Sequence, residues 1–230
     1  MSEQVITDAD ILYEDNHLIA INKRAGVLIQ GDKTGDRSLT DSLAHYLKVK
    51  YQKPGNVFTG LIHRIDRPVS GLVIFSKTSK SLSRMNALFQ SREVSKSYVC
   101  IVEGRVENLK SRLESYLLKN QQTNKSHSRS SPKEGYKKAV LDYEVMQYLN
   151  NYTVLSVLLA TGRHHQIRVQ LSAIGHVIKG DLKYGAKRSN QDGSICLHAR
   201  KLSFVHPVKL EEIVIEAPLP KGDIWDQLTV

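Results

Sequence analysis

Residues 152–175 read YTVLSVLLATGRHHQIRVQLSAIG. Tyr152 to Ala160 is the most hydrophobic run in the chain, rich in Val and Leu, which marks a buried strand. After Thr161-Gly162 the pattern changes: Ile167, Leu171 and Ile174 recur at helical spacing, and Gly175 suits the C-terminal end of a helix. A strand, a tight turn and a helix thus follow one another within 24 residues. Arg163 and Arg168 are delivered from the rigid elements. Taken alone, the turn also reads as a plain helix cap with His and Arg on a wet face.

Outward from this segment, strand and helix signals mix without a regular βαβ alternation. ILYEDNHLIAINK (11–23) has two apolar runs around a turn-rich break, as in a β-hairpin. From Ser38 to Lys48, Leu39, Leu43, Tyr46 and Leu47 form a helical stripe capped by Ser38. GLVIFSK (71–77) is a buried strand, followed by a helix that Thr78 or Ser79 caps and that carries Leu82, Met85, Leu88 and Phe89. Further strands are expected at KSYVCIVEG, 113–118, 139–149, KLSFVHPV and EEIVIEAP, with a short segment around Trp225. The fold class is α/β in its α+β form: one domain over 1–230, a mixed and largely antiparallel sheet, flanking helices.

The chain has 33 Lys and Arg against 23 Asp and Glu, a net charge of +10. That excess favours polyanions: nucleic acid first, an anionic membrane second. No apolar run is long enough to span a membrane and MSEQVITDAD is not a signal segment, so a cytoplasmic protein is expected, without a membrane partner. Cys100 and Cys196 read as free thiols. His164 and His165 are adjacent, and successive side chains on a regular element diverge, so no metal is expected. Between Arg105 and Val140 lie nine Lys or Arg and three acids. Residues 119–136 at its centre read as a mobile, basic polar loop.

HRIDRPVSG (63–71) places Asp66 between Arg64 and Arg67. Such a carboxylate is either an exposed ion pair of little consequence or an anion kept charged at the edge of the core. An arginine within reach keeps it ionised, as a nucleophile or a base requires. Tyr98 is a core tyrosine or a stacking surface for a nucleobase. The GDLKYG stretch (180–185) fits neither a P-loop nor a dinucleotide fingerprint.

Together these stretches resemble the RluA-type pseudouridine synthases. HRIDRPVSG resembles the family's His-Arg-Leu-Asp-x-x-Thr-Ser-Gly, NKRAG (22–26) its Asn-Lys-Pro-Ala/Ser-Gly, and SKSYVCIVEG its Lys-x-Tyr strand. LLATGRHHQIR is similar to its Thr-Gly-Arg-x-His-Gln-Ile-Arg region, and LHARKLSFVHP to its closing signature. The motifs run in family order from about residue 11 to residue 207. Arg24, Val69, His164 and Val177 depart from the pattern, none at a position assigned to chemistry.

The resemblance implies isomerisation of uridine to pseudouridine in structured RNA, tRNA or rRNA, in a catalytic cleft without cofactor or metal. It implies Asp66 as the catalytic carboxylate and Arg168 as its paired cation. Tyr98 would stack on the target uracil, and Arg64 would fill the gap left by the extruded nucleotide. His63, Arg163 and Ile167 would join Arg64 in binding substrate. Because the matching core starts almost at Met1, a monomeric stand-alone catalytic domain without an S4-like module is expected. A non-catalytic RNA binder and a nucleoside hydrolase are the rival readings.

Overall fold

The computed structural model describes residues 4–31 and 35–229. In chain order the strands and helices are β1 (Ile11–Glu14), β2 (Leu18–Lys23), α1 (Leu39–Lys50), β3 (Gly60–Leu61), β4 (Ser70–Ser76), α2 (Ser79–Ser91), β5 (Ser95–Glu103) and β6 (Lys110–Asn120). They continue with β7 (Lys125–Arg129), β8 (Lys137–Tyr148), β9 (Tyr152–Leu159), α3 (Gln166–Ala173), β10 (Leu197–Val205) and β11 (Glu212–Glu216). Two compact units result: the chain up to Val94 with Ala199–Leu219, and Ser95–His198 with the residues from Pro220. The boundary falls within β10.

In the first unit, β2 lies between β1 and β4 in antiparallel ladders, with Ile19 opposite Phe75 and Ile21 opposite Val73. Both strands are buried almost throughout, as their continuous apolar runs require. β10 lies beside β4, and β11 pairs antiparallel with β10. Both helices start as expected. Ser38 accepts from the Asp41 amide in a capping box, and Thr78 accepts from the Ser81 amide.

In the second unit the order is β5-β9-β8-β6-β7, every ladder antiparallel. The α+β class with largely antiparallel sheets and flanking helices is therefore observed. The expected loop at 119–136 is not. Residues 125–129 form β7, which pairs with β6 from Tyr116↔Arg129 to Asn120↔Lys125. The turn is built by Asn120, whose Oδ1 accepts from the Gln122 and Thr123 amides, and by Asn124 at a φ of 47°. Only the tight turn 121–124 and residues 130–136 remain connections.

Gly71, the second residue of β4, has a φ of 109°, and a Cβ there would lie 2.3 Å from the Ala199 carbonyl oxygen of β10. Only glycine allows this approach. Gly71→Ala is therefore expected to destabilise the protein by roughly 2–4 kcal/mol, through a displaced backbone and a forbidden φ, read as a lower urea midpoint.

Candidate active site

In the first unit, Asp66 sits half-buried in the segment between β3 and β4, with Arg64 exposed beside it. The segment is fixed by main-chain bonds. The Val69 amide donates to the Asp66 carbonyl at 3.0 Å, and Arg67 is stapled to Gly26: Gly26 N donates to Arg67 O at 2.8 Å, and Arg67 Nε to Gly26 O at 2.9 Å. Arg67 also pairs with Asp36 at 3.1 Å.

Beneath the staple lies Lys23, 0% exposed. Its Nζ donates to the carbonyls of Arg24 (2.9 Å), Val27 (3.0 Å) and Arg67 (3.2 Å). Three acceptors take all three ammonium protons. Burial pushes the Lys23 pKa down to about 7, and the Asp66 carboxylate opposes that fall. The NKRAG and HRIDR stretches are thus one assembly, with a buried cation close enough to Asp66 to feel its charge. His63 belongs to the same scaffold: its Nε2 accepts from the Ile74 amide at 3.2 Å and its ring stacks on Phe89.

In the second unit, α3 carries Arg168 with a side chain only 5% exposed, against Asp181 at 1%. The guanidinium is held on two prongs, Nε to Oδ2 at 2.7 Å and Nη2 to Oδ1 at 2.8 Å. Residues 182–184 form one turn of 3-10 helix that follows Asp181 directly and places the Tyr184 ring 5.1 Å from the Arg168 guanidinium. Gly180 and Gly185 bound this turn at φ 87° and 107°. A Cβ at Gly180 would come within 2.7 Å of the Ser194 carbonyl oxygen.

The start of α3 departs from expectation. His165 adopts φ 53°, and its ring stacks on that of His164 with centroids 3.7 Å apart. The two rings therefore do face one another, because a left-handed residue between turn and helix breaks the divergence of a regular element. Burial, reinforced by Arg168, pushes the His165 pKa down to about 2, so the ring is neutral. Gln166 locks the turn: its Oε1 accepts from Thr161 Oγ1 and Arg163 N, and its Nε2 donates to Val140 O.

The sequence profile described as RNA pseudouridylate synthase matches residues 17–173. The chain belongs to the RNA pseudouridylate synthase family. It is 33% identical over 218 residues to an uncharacterized RNA pseudouridine synthase, YhcT of Bacillus subtilis (strain 168), covering 93% of this chain and 69% of the relative. It is 30% identical over 222 residues to ribosomal large subunit pseudouridine synthase D of Zymomonas mobilis, covering 92% and 69%. Against tRNA pseudouridine synthase C of Haemophilus influenzae the identity is 31%, covering 95% of both. The fold is that of human RNA pseudouridylate synthase domain containing 4, with a TM-score of 0.78 at 23% identity, over 93% of this chain and 89% of the other.

In this pseudouridine synthase the anticipated residues have distinct settings. Tyr98 is buried on β5 opposite Val157 of β9. Ile167 is buried on α3. Arg163 donates from Nε to the Lys138 carbonyl at 3.0 Å. Arg168 is buried on α3, so the wet-face reading of this helix fails. Two residues that hold anticipated residues in place were not singled out: Asp181, which grips Arg168, and Lys23, which braces the segment carrying Asp66. The glycine-framed carboxylate of GDLKYG was the available signal for the first, and the lysine of NKRAG for the second.

Asp181→Ala leaves a buried guanidinium without its bidentate acceptor. A loss of about 3–5 kcal/mol is expected in urea unfolding, the scale for breaking a buried pair from one side.

Proposed function

We propose that this synthase isomerises uridine in structured RNA with Asp66 as its catalytic carboxylate. Asp66 lies in a loop that Lys23 and the Gly26 staple hold rigid, and this observation carries the reading. Rigid presentation is what a reacting carboxylate needs. In this reading Arg168 takes the role of the paired cation, and its own support is the two-pronged grip of Asp181. In the reaction the C1′–N1 bond breaks, the uracil turns, C5 bonds to C1′, and N1 gains a proton as C5 loses one. Asp66 acts as nucleophile at C1′ or as base at C2′.

A stacked uridine does not expose C1′, so the nucleotide must leave the helix at a cost of about a few kcal/mol. Arg64, exposed next to Asp66, fills the gap by stacking and phosphate contact. Tyr98 stacks on the uracil, while His63, Arg163 and Ile167 shape the site around it. A short stem-loop of transfer RNA is the substrate we favour, since the relative named for tRNA aligns over 95% of both chains.

Asp66→Ala and Asp66→Asn are expected to abolish tritium release from RNA labelled at uridine C5 while retaining RNA binding. Continued release would remove Asp66 from the chemistry. Chromatography of the wild-type reaction should show pseudouridine; free uracil would mean hydrolysis instead.

The β6–β7 hairpin supplies part of the RNA surface. Lys119, Arg129 and the following Lys133 carry its charge, with the Arg129 guanidinium over the Tyr136 ring at 5.5 Å. Replacing all three by Gln should weaken RNA binding and flatten its salt dependence, by roughly 0.7–0.9 in the log–log slope per lost phosphate contact. An unchanged slope in filter binding would show that the hairpin stays off the RNA.

A further inference from the structure

We propose that Tyr184 is a positioning residue that couples the β6–β7 hairpin to Arg168, so that RNA held by the hairpin sets the guanidinium for reaction. The inference rests on the reading of Arg168 given above and adds the residue through which that arginine is reached from the RNA surface.

Tyr184 is buried and is the point where three structures meet. Its ring lies against two cations, Arg168 of α3 at 5.1 Å and Lys125 of β7 at 5.2 Å. Its hydroxyl accepts from the Ser126 amide of β7 at 2.8 Å and bonds His165 Nδ1 at 2.9 Å. With its oxygen accepting from the amide, the hydroxyl proton points to His165, and a neutral imidazole accepts it on Nδ1. One phenol therefore ties the outermost strand of the sheet to the residue that starts the Arg168 helix.

The neighbouring contacts run the same way. Ser126 Oγ donates to the His164 carbonyl at 2.8 Å and lies 2.9 Å from His164 Nδ1. Lys183, one residue before Tyr184, donates to the Asn124 carbonyl in the hairpin turn at 3.1 Å. Tyr184 itself is held in place, its amide on the Asp181 carbonyl and its own carbonyl on Ser172 Oγ. The turn 181–184 thus grips Arg168 through Asp181 and the hairpin through Lys183 and Tyr184. A displacement of β7 reaches Arg168 through side chains already in contact, without any change of fold.

Tyr184→Phe retains the ring beneath Arg168 and Lys125 and deletes only the hydroxyl link. Steady-state pseudouridine formation on RNA is to be compared for the wild type, Tyr184→Phe, Ser126→Ala, their double variant and Arg168→Ala. We expect Tyr184→Phe to lower kcat roughly tenfold while KM holds within about twofold, the mark of a misplaced group rather than a lost binding surface. Ser126→Ala removes the parallel contact of Ser126 Oγ with His164 and leaves the amide bond to Tyr184, so the double variant, with both β7 links to the helix start cut, should be at least as slow as the slower single variant. A Tyr184→Phe enzyme with wild-type kcat, a rise in KM alone, or a double variant faster than the slower single variant would overturn the coupling. Should Tyr184→Phe fail to accumulate as folded protein, Ser126→Ala tests the second β7 link to the helix start, through His164, and an unchanged kcat there overturns the proposal. Wild-type turnover by Arg168→Ala would instead overturn the role of Arg168. An inactive Arg168→Ala beside a fully active Tyr184→Phe would defeat the coupling alone.

Discussion

A guanidinium taken out of water demands a partner of matching shape, and Arg168 meets that demand with Asp181. Much of the second unit follows from this pair. The carboxylate must arrive on a short turn, so glycines at 180 and 185 adopt backbone angles that other residues rarely reach. The helix that carries the arginine must bury its other polar side chains too. Gln166 is engaged by the turn before it, and Gln170 Nε2 reaches Leu113 O, Ser115 Oγ and Ala139 O on the neighbouring strands. A helix buried on such polar groups cannot slide or rotate without leaving donors unmatched, which exacts a larger penalty than a shifted apolar contact.

The first unit solves a similar problem with an ammonium. Lys23 spends its protons on carbonyls from both motifs that frame Asp66, so the loop geometry is written into main-chain atoms. Side-chain identity around the loop is correspondingly free to vary. Arg24 and Val69, which depart from the family pattern, flank these bonds without interrupting them: the Arg24 carbonyl still accepts from Lys23 and the Val69 amide still closes the turn on Asp66.

The regular elements were legible because their signals are local. Ser38 and Thr78 cap helices as their positions suggest, and GLVIFSK and YTVLSVLL are buried strands because nothing else accommodates such runs. β7 was not legible. Lys-Ser-His-Ser-Arg has no apolar residue, and its buried position, Ser126, is satisfied by Tyr184 and His164 from distant sequence. Asp66, Tyr98 and Arg168 were read from motifs and are found in fixed settings, whereas Lys23 and Asp181 act through partners that only folding assembles. The stacked pair His164–His165 depended on one left-handed residue that no periodicity announces.

The interleaving of the two units along the chain bears on biosynthesis. The first unit is interrupted after Val94 and resumes only at Ala199, so β4 waits about a hundred residues for β10. On a ribosome emitting roughly 5–20 residues per second, that leaves one edge of a hydrophobic strand, paired by β3 only at Phe75 and Ser76, uncovered for several seconds. The intervening unit is contiguous from β5 to α3, and apart from the β5–β9 ladder it joins strands close in sequence, which favours its early closure. The strands β1, β2 and β4 thus rely on a segment made only after the whole β5–α3 stretch to cover them.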